Sequence, residues 1–274
     1  MSKIELGSVG AVVNPTEDSA YLDQAVGLEQ AGFSTIWITG GPLDNPGQLA
    51  AAVATTKRAR VASGILPVFK FPADEVIAFH QELEASHPGR FVLGLGGAHS
   101  ADPFATLNEY LDRLDAAGIP ASARLMAGLG PRMIDLARER ASGVFPVLVT
   151  PEYVRQVRAR LGDDKTLAVE QIVAVETDPE RARALARQPL GFLGRAPFYQ
   201  ASFHRQGFND DEIASLDDRL VDSLVAWGDA DAVAARITEQ LEAGADHVAI
   251  SLVTDLPDDE ALAQWQQLAD RLIG

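Results

Sequence analysis

Short apolar runs alternate with amphipathic stretches along almost the whole chain. Ile4 to Val13, Ser34 to Thr39, Val61 to Phe69 and Arg90 to Leu95 read as strands with little room for a polar face, the pattern of parallel strands covered on both sides. Between them, 20–31, 48–56 and 72–86 read as helices, with Gly32 stopping the first and Pro72 opening the third. The second half repeats the pattern, with helices over 105–117, 131–140, 151–161 and from Pro179 onward, and strands over 124–128, 143–150 and 167–176. It breaks over 188–229, where Phe192, Phe198, Tyr199, Phe203, Phe208 and Trp227 stand among turn residues. That segment reads as an insertion of short helices between the seventh and eighth strands. A helix over 230–243, a strand over 247–253 and a helix over 258–272 resume the alternation. Eight such units in 274 residues predict an α/β fold, a single (β/α)8 TIM barrel over 1–274, with a doubly wound open sheet as the other arrangement.

Composition narrows the function classes. With 39 acidic against 23 basic residues and no clustered basic face, a net charge of −16 argues against a nucleic-acid partner. No window reaches the roughly 18 apolar residues of a membrane span, and Met-Ser-Lys-Ile-Glu lacks the apolar core of a signal peptide, so a cytoplasmic protein without a membrane partner is expected. The chain has no cysteine, which removes disulfides and thiolate chemistry.

In a barrel the chemistry belongs to the residues just after each strand. The most suggestive stretch is His87-Pro-Gly-Arg-Phe-Val-Leu-Gly-Leu-Gly-Gly-Ala-His99. Gly94, Gly96 and Gly97 strip side chains from a strand exit, which suits either close packing or the approach of something flat. The titratable His99 follows at once and is the candidate for proton transfer, with an ordinary pKa near ~6.5. The second stretch is Ala127-Gly128-Leu129-Gly130-Pro131. A glycine turn entering a helix at Pro131 leaves the N–H groups of Leu129 and Gly130 as an anion seat, to which Thr150 could add a hydroxyl; the same turn also serves as a routine connection.

Other chemistries are set aside by inspection. The chain has no Walker phosphate loop, no nucleophile elbow and no His-Glu-x-x-His pair, and Gly94-x-Gly96 lacks the third glycine of a dinucleotide fingerprint. Its histidines are scattered without metal-ligand spacing, so no metal is expected; His80 and His87 read as surface residues and His247 as structural. Lys70 is the only lysine near the predicted active rim, which disfavours a Schiff-base aldolase.

Four segments carry a resemblance that periodicity does not supply: 89–97 (Gly-Arg-Phe-Val-Leu-Gly-Leu-Gly-Gly), 31–38 (Ala-Gly-Phe-Ser-Thr-Ile-Trp-Ile), 127–133 (Ala-Gly-Leu-Gly-Pro-Arg-Met) and 243–248 (Ala-Gly-Ala-Asp-His-Val). They resemble the bacterial luciferase-like monooxygenase superfamily. Positions 220–228 and 147–152 are similar to an actinobacterial branch of coenzyme F420-dependent oxidoreductases. The resemblance implies a flavin or deazaflavin edge-on at the C-terminal mouth, a non-prolyl cis peptide at Gly64–Ile65 beneath the ring, Gly96 and Gly97 beside it, the cofactor phosphate on Gly128, Leu129, Gly130 and Thr150, and a homodimer.

Departures from that pattern matter as well. Where sugar-phosphate dehydrogenases of the superfamily have an acidic residue and a histidine after the second strand, this chain has Gly40-Gly41; their catalytic glutamate falls at His99. Pro151, Glu152 and Tyr153 stand where basic residues would hold a sugar phosphate. The expectation is therefore F420-dependent hydride transfer to or from an unidentified small organic substrate. The alternatives are an FMN-dependent monooxygenase or a non-catalytic flavin- or deazaflavin-binding barrel.

Overall fold

The computed structural model describes residues 3–98 and 100–274. Its strands are β1 (Val9–Val13), β2 (Thr35–Ile38), β3 (Arg60–Ser63), β4 (Leu66–Pro67), β5 (Phe91–Gly96), β6 (Arg124–Met126), β7 (Gly143–Val144), β8 (Thr166–Val175), β9 (Ala226–Gly228) and β10 (His247–Leu252). All pairings are parallel. The order β10-β1-β2-β3-β5-β6-β7-β8 closes on itself because β10 also pairs with β8, Ala249 standing opposite Glu170. This is the expected (β/α)8 barrel, an α/β fold.

Helices α1 (Ala20–Gln30), α2 (Gly47–Thr55), α3 (Ala73–Ser86), α4 (Pro103–Ala116), α5 (Pro131–Arg140), α6 (Pro151–Leu161), α7 (Pro179–Leu193), α11 (Ala230–Glu242) and α12 (Asp258–Leu272) pack outside. The insertion supplies α8 (Pro197–Arg205), α9 (Asp210–Ser215) and α10 (Asp218–Leu224), and ends in β9, which extends β8 at the rim.

Period-two alternation sorts the strand residues into two cores. Val9, Ala11, Val13, Ile36, Ile38, Leu93, Leu95, Val169, Val173, Val248 and Ile250 face the helices. Val12, Trp37, Ala62, Val92, Leu125, Phe145, Ala168 and Ala249 fill the barrel itself. A third cluster is built by the insertion: Tyr199, Phe203, Phe208, Leu220 and Leu224 close over Leu148 and Ile172. Tyr199, Phe203 and Phe208 thus form a satellite core seated on one side of the mouth, while Phe192 and Phe198 stay exposed.

Several strands are shorter than the apolar runs suggest, each for a local reason. Gly7 takes φ +75°, and Ile4 donates its N–H to the Thr166 hydroxyl, so 4–7 crosses the barrel's N-terminal end and only 9–13 joins the sheet. The 61–69 run divides around Gly64–Ile65, whose peptide bond is cis. The 143–150 run keeps two ladder residues, because Pro146 has no N–H; its carbonyl accepts from Glu170 N, and Val147 rejoins β8 only as an isolated bridge. His80 corrects the surface expectation for that helix: it is buried against Phe91, and burial lowers its imidazole pKa.

His247 has the structural role expected of it. Buried at the barrel's closed end, it takes one tautomer: Nδ1–H donates to Gly7 O at 2.8 Å, and Nε2 accepts from Trp37 Nε1–H at 3.0 Å. Burial depresses its pKa to about 4, so the ring is neutral.

Candidate functional site

The mouth is built from the inward positions nearest each strand's C-terminal end. Extending the alternation one pleat above the filled interior gives Asn14, Thr39, Gly64, Gly96, Ala127, Val147, Glu170 and Ser251. All but Gly96 retain some solvent exposure, while Trp37, Leu125 and Phe145 beneath them are buried. The layer below is plugged, so that exposure opens through the mouth. Its walls are mostly apolar or hydroxylic, as suits the capture of a planar organic ring.

The glycines at the strand exits divide into two kinds. A Cβ on Gly94 would lie 2.0 Å from Ser63 O, and one on Gly96 2.7 Å from Ala127 Cβ and 3.1 Å from Ile65 Cδ1. Gly40 likewise faces Ile65 O, at 1.7 Å. These positions are bare because neighbouring strands and the Ile65 side chain occupy the space, so at Gly94 and Gly96 close packing is the reason for the glycine. Gly97 differs, since its φ of +66° turns the chain in a conformation that favours glycine. Gly41 and Gly130 open onto space, with nothing within 4 Å of the first and only Arg205 near the second.

The structure brings Gly128, Leu129, Gly130 and Thr150 to one side of the rim. A Cβ on Gly128 would meet Val144 at 2.8 Å, which seats the turn tightly on β7. Gly130 is the N-cap of α5 with no side chain capping it, leaving N–H groups available to a ligand. Thr150 caps α6: its Oγ1 accepts from Tyr153 N, and its own N–H is held by Gln206 Oε1 at 2.8 Å. The hydroxyl hydrogen is thus the part of Thr150 left to donate. Tyr153 is buried and gives its O–H to Leu129 O, so it braces the two turns.

Two groups at this rim escape a reading of the sequence. Arg205, the last residue of α8, reaches over the turn; Nη2 donates to Leu129 O and Nε to Tyr153 Oη, both at 3.2 Å. It forms no carboxylate ion pair among the described residues, so its charge remains available to an anion. Glu170 is the other. In a strand reading Thr-Leu-Ala-Val-Glu-Gln-Ile-Val-Ala-Val, it is the one carboxylate, and it falls at inward parity. Burial pushes its carboxyl pKa up to about 7, against a hydrogen bond from Ser251 that favours the charged form. The signal was a lone acid inside an apolar strand, legible once the alternation is applied.

The luciferase-like monooxygenase model matches residues 14–117 and 109–247. The chain belongs to the luciferase-like monooxygenase family. No curated protein sequence matches it. Among solved structures, an F420-dependent secondary alcohol dehydrogenase in complex with an F420–acetone adduct is 13% identical with a TM-score of 0.78, covering 98% of this chain and 100% of that one. A coenzyme F420-dependent tetrahydromethanopterin reductase from Methanopyrus kandleri is 16% identical with a TM-score of 0.76, covering 98% and 99%. The FMN-bound oxygenating constituent of 3,6-diketocamphane monooxygenase, a type II Baeyer–Villiger enzyme from Pseudomonas putida, is 15% identical with a TM-score of 0.71, covering 97% and 98%. At these identities the likeness establishes the shared fold of the family.

Of the residues expected at the site, His99 lies outside the described residues. Two cavities lie away from the mouth, one of about 420 Å³ among α7, α8 and α9 and one of about 330 Å³ between α3 and the segment following α4. Among the described residues no helix is long and apolar enough to cross a membrane.

Proposed function

We propose that this chain is an oxidoreductase that holds a planar redox cofactor at its barrel mouth, coenzyme F420 in the first reading and FMN in the second. The observation that carries the proposal is the partly exposed inward layer above a plugged interior, with an uncapped helix N-terminus and the Arg205 guanidinium at one edge. Such a ring fits: Gly64, Ile65 and Gly97 wall one side, with Gly96 shaping that wall from beneath by admitting Ile65. At the edge, Gly128, Leu129, Gly130 and Thr150 would hold a phosphate, with Arg205 supplying the counter-charge. When bound, the cofactor supplies two-electron hydride chemistry, and the protein supplies orientation and dryness.

The chain's own residues do the remaining work. The apolar walls at Ala127, Val147 and Val253 exclude water, and the insertion's aromatic core covers one side of the opening. His99 is the proton-transfer candidate from sequence. Similarity in fold to two F420-dependent enzymes favours F420, and the FMN-bound fold supports the second reading.

Fluorescence titration with F420 and with FMN, side by side, is the test. Micromolar or tighter binding of one of them supports the proposal. Failure of both to bind sinks it.

A further inference from the structure

Glu170 is a carboxyl that the family assignment does not employ. It stands on β8, four staves round the closed barrel from β3, so it faces Gly64–Ile65 from the opposite wall. Its inward neighbours are Ala249 and Ser251 on β10 and Val147 beside it. Ile172, one pleat nearer the rim, is buried under Tyr199 and Phe203, yet Glu170 beneath keeps partial exposure. The exposure that Glu170 keeps therefore opens toward the mouth, above the plugged interior.

No lysine or arginine pairs with it among the described residues. The titratable groups on elements packed around it are Tyr199 of α8, held protonated by burial with the Glu170 charge adding to the effect, and the neutral His247, deeper on β10. His99 is outside the described residues. The immediate surroundings of Glu170 are thus apolar except for its own carboxyl and the Ser251 hydroxyl, and they offer an anionic substrate no counter-charge beside it.

Resting on the reading that a redox ring lies against Gly64–Ile65, we propose that Glu170 is the substrate-side acid of this pocket and that the substrate is a small neutral carbonyl or alcohol. In the reducing direction Glu170 gives its proton to the carbonyl oxygen as the carbonyl carbon receives a hydride from the reduced deazaflavin or flavin. The C=O bond becomes a C–H and an O–H bond, the carboxyl becomes a carboxylate, and the cofactor is oxidised by two electrons; alcohol oxidation runs these steps backwards.

The probes are cyclohexanone and cyclohexanecarboxylate, added to the F420- or FMN-loaded protein and followed by the ring's difference spectrum between pH 6 and 8. Cyclohexanone affinity should fall about tenfold over that range as the donor ionises near neutrality. Glu170→Gln, which keeps a donor at every pH, should bind it tightly with no pH dependence. Glu170→Ala should bind it weakly throughout. Cyclohexanecarboxylate should bind at least tenfold more weakly at pH 8. The proposal is overturned, with the cofactor reading left standing, if cyclohexanone does not bind, if its affinity is flat with pH, if the dependence survives in Glu170→Gln, or if the carboxylate binds more tightly. If wild type binds neither cofactor, the reading itself fails and the proposal falls with it.

Discussion

Trp37 and Phe145 stack face to face inside the barrel, their ring centroids 4.0 Å apart and their planes 3° from parallel. They come from β2 and the residue following β7, and together they form the floor on which the mouth layer rests. Gly64 sits directly above them: a Cβ there would lie 3.4 Å from Trp37 Cε3 and 3.5 Å from Phe145 Cε1. Cutting Phe145 to alanine removes one member of a stack with no replacement in reach. Phe145→Ala should therefore cost about 3–5 kcal/mol, read as a lower urea midpoint at unchanged m-value.

The other edge of Trp37 reaches His247, and this pair gives a pH signature. The His247 pKa lies at about 4 in the folded chain, below the ordinary value of 6.5. The depressed value means the folded state resists protonation. Its contribution is complete above pH 6.5 and is lost as pH falls from there to 4, at about 1.4 kcal/mol per unit and roughly 3 kcal/mol in all. His247→Asn should be less stable than wild type at pH 7.5 and should show a shallower acid loss. Denaturant midpoints at pH 7.5 and 4.5 for both proteins check this.

Glu170 runs the other way. Its pKa rises from 4.5 to about 7 on folding, so the folded state prefers the protonated carboxyl. The associated stability is complete below pH 4.5 and is lost as pH rises through 7. Glu170→Gln, which stays neutral, should gain about 1–3 kcal/mol over wild type at pH 8 and nothing at pH 4.5. Equal gains at both pH values would mean that the stabilisation is packing and not charge.

How far the sequence could be read depended on whether a feature was repeated or singular. The barrel was legible because every strand buries both faces, which leaves the same apolar signature eight times, and because the aromatic insertion interrupts it once. Strand ends were not, since they turn on single events such as the missing N–H of Pro146 and the positive φ of Gly7. At the site, the turns around Gly128 and Thr150 could be named from glycine spacing and helix starts. Arg205 could not, because it arrives from an insertion whose path over the rim leaves no local pattern. Two glycines show the limit of composition: Gly94 in β5 is bare to admit Ser63 O, and Gly130 at the start of α5 is bare with only a guanidinium near it, yet both read alike.

Those two glycines should respond oppositely to a methyl group. Gly94→Ala places Cβ 2.0 Å from a backbone oxygen between paired strands, and neither strand can retreat without breaking its ladder. A loss of about 1–3 kcal/mol or failure to fold is expected. Gly130→Ala meets only Arg205, at 3.8 Å, at a φ of −108° that alanine tolerates. Its melting temperature should stay within a few degrees of wild type, as read by thermal circular dichroism.

Arg205 tests the phosphate edge separately from the ring. Its guanidinium rests on Leu129 O and Tyr153 Oη at the exposed end of α8, so truncation removes charge without opening the core. A charge-assisted hydrogen bond to phosphate contributes about 1.5–3 kcal/mol, which is roughly a 10- to 150-fold change in affinity. Arg205→Ala should weaken FMN by that factor and leave riboflavin, which has the same ring and no phosphate, unchanged. The measurement is flavin fluorescence quenching with both ligands at low and high salt, and the FMN penalty should shrink as salt rises. Equal weakening of FMN and riboflavin would place Arg205 in the support of α8 and not at the phosphate.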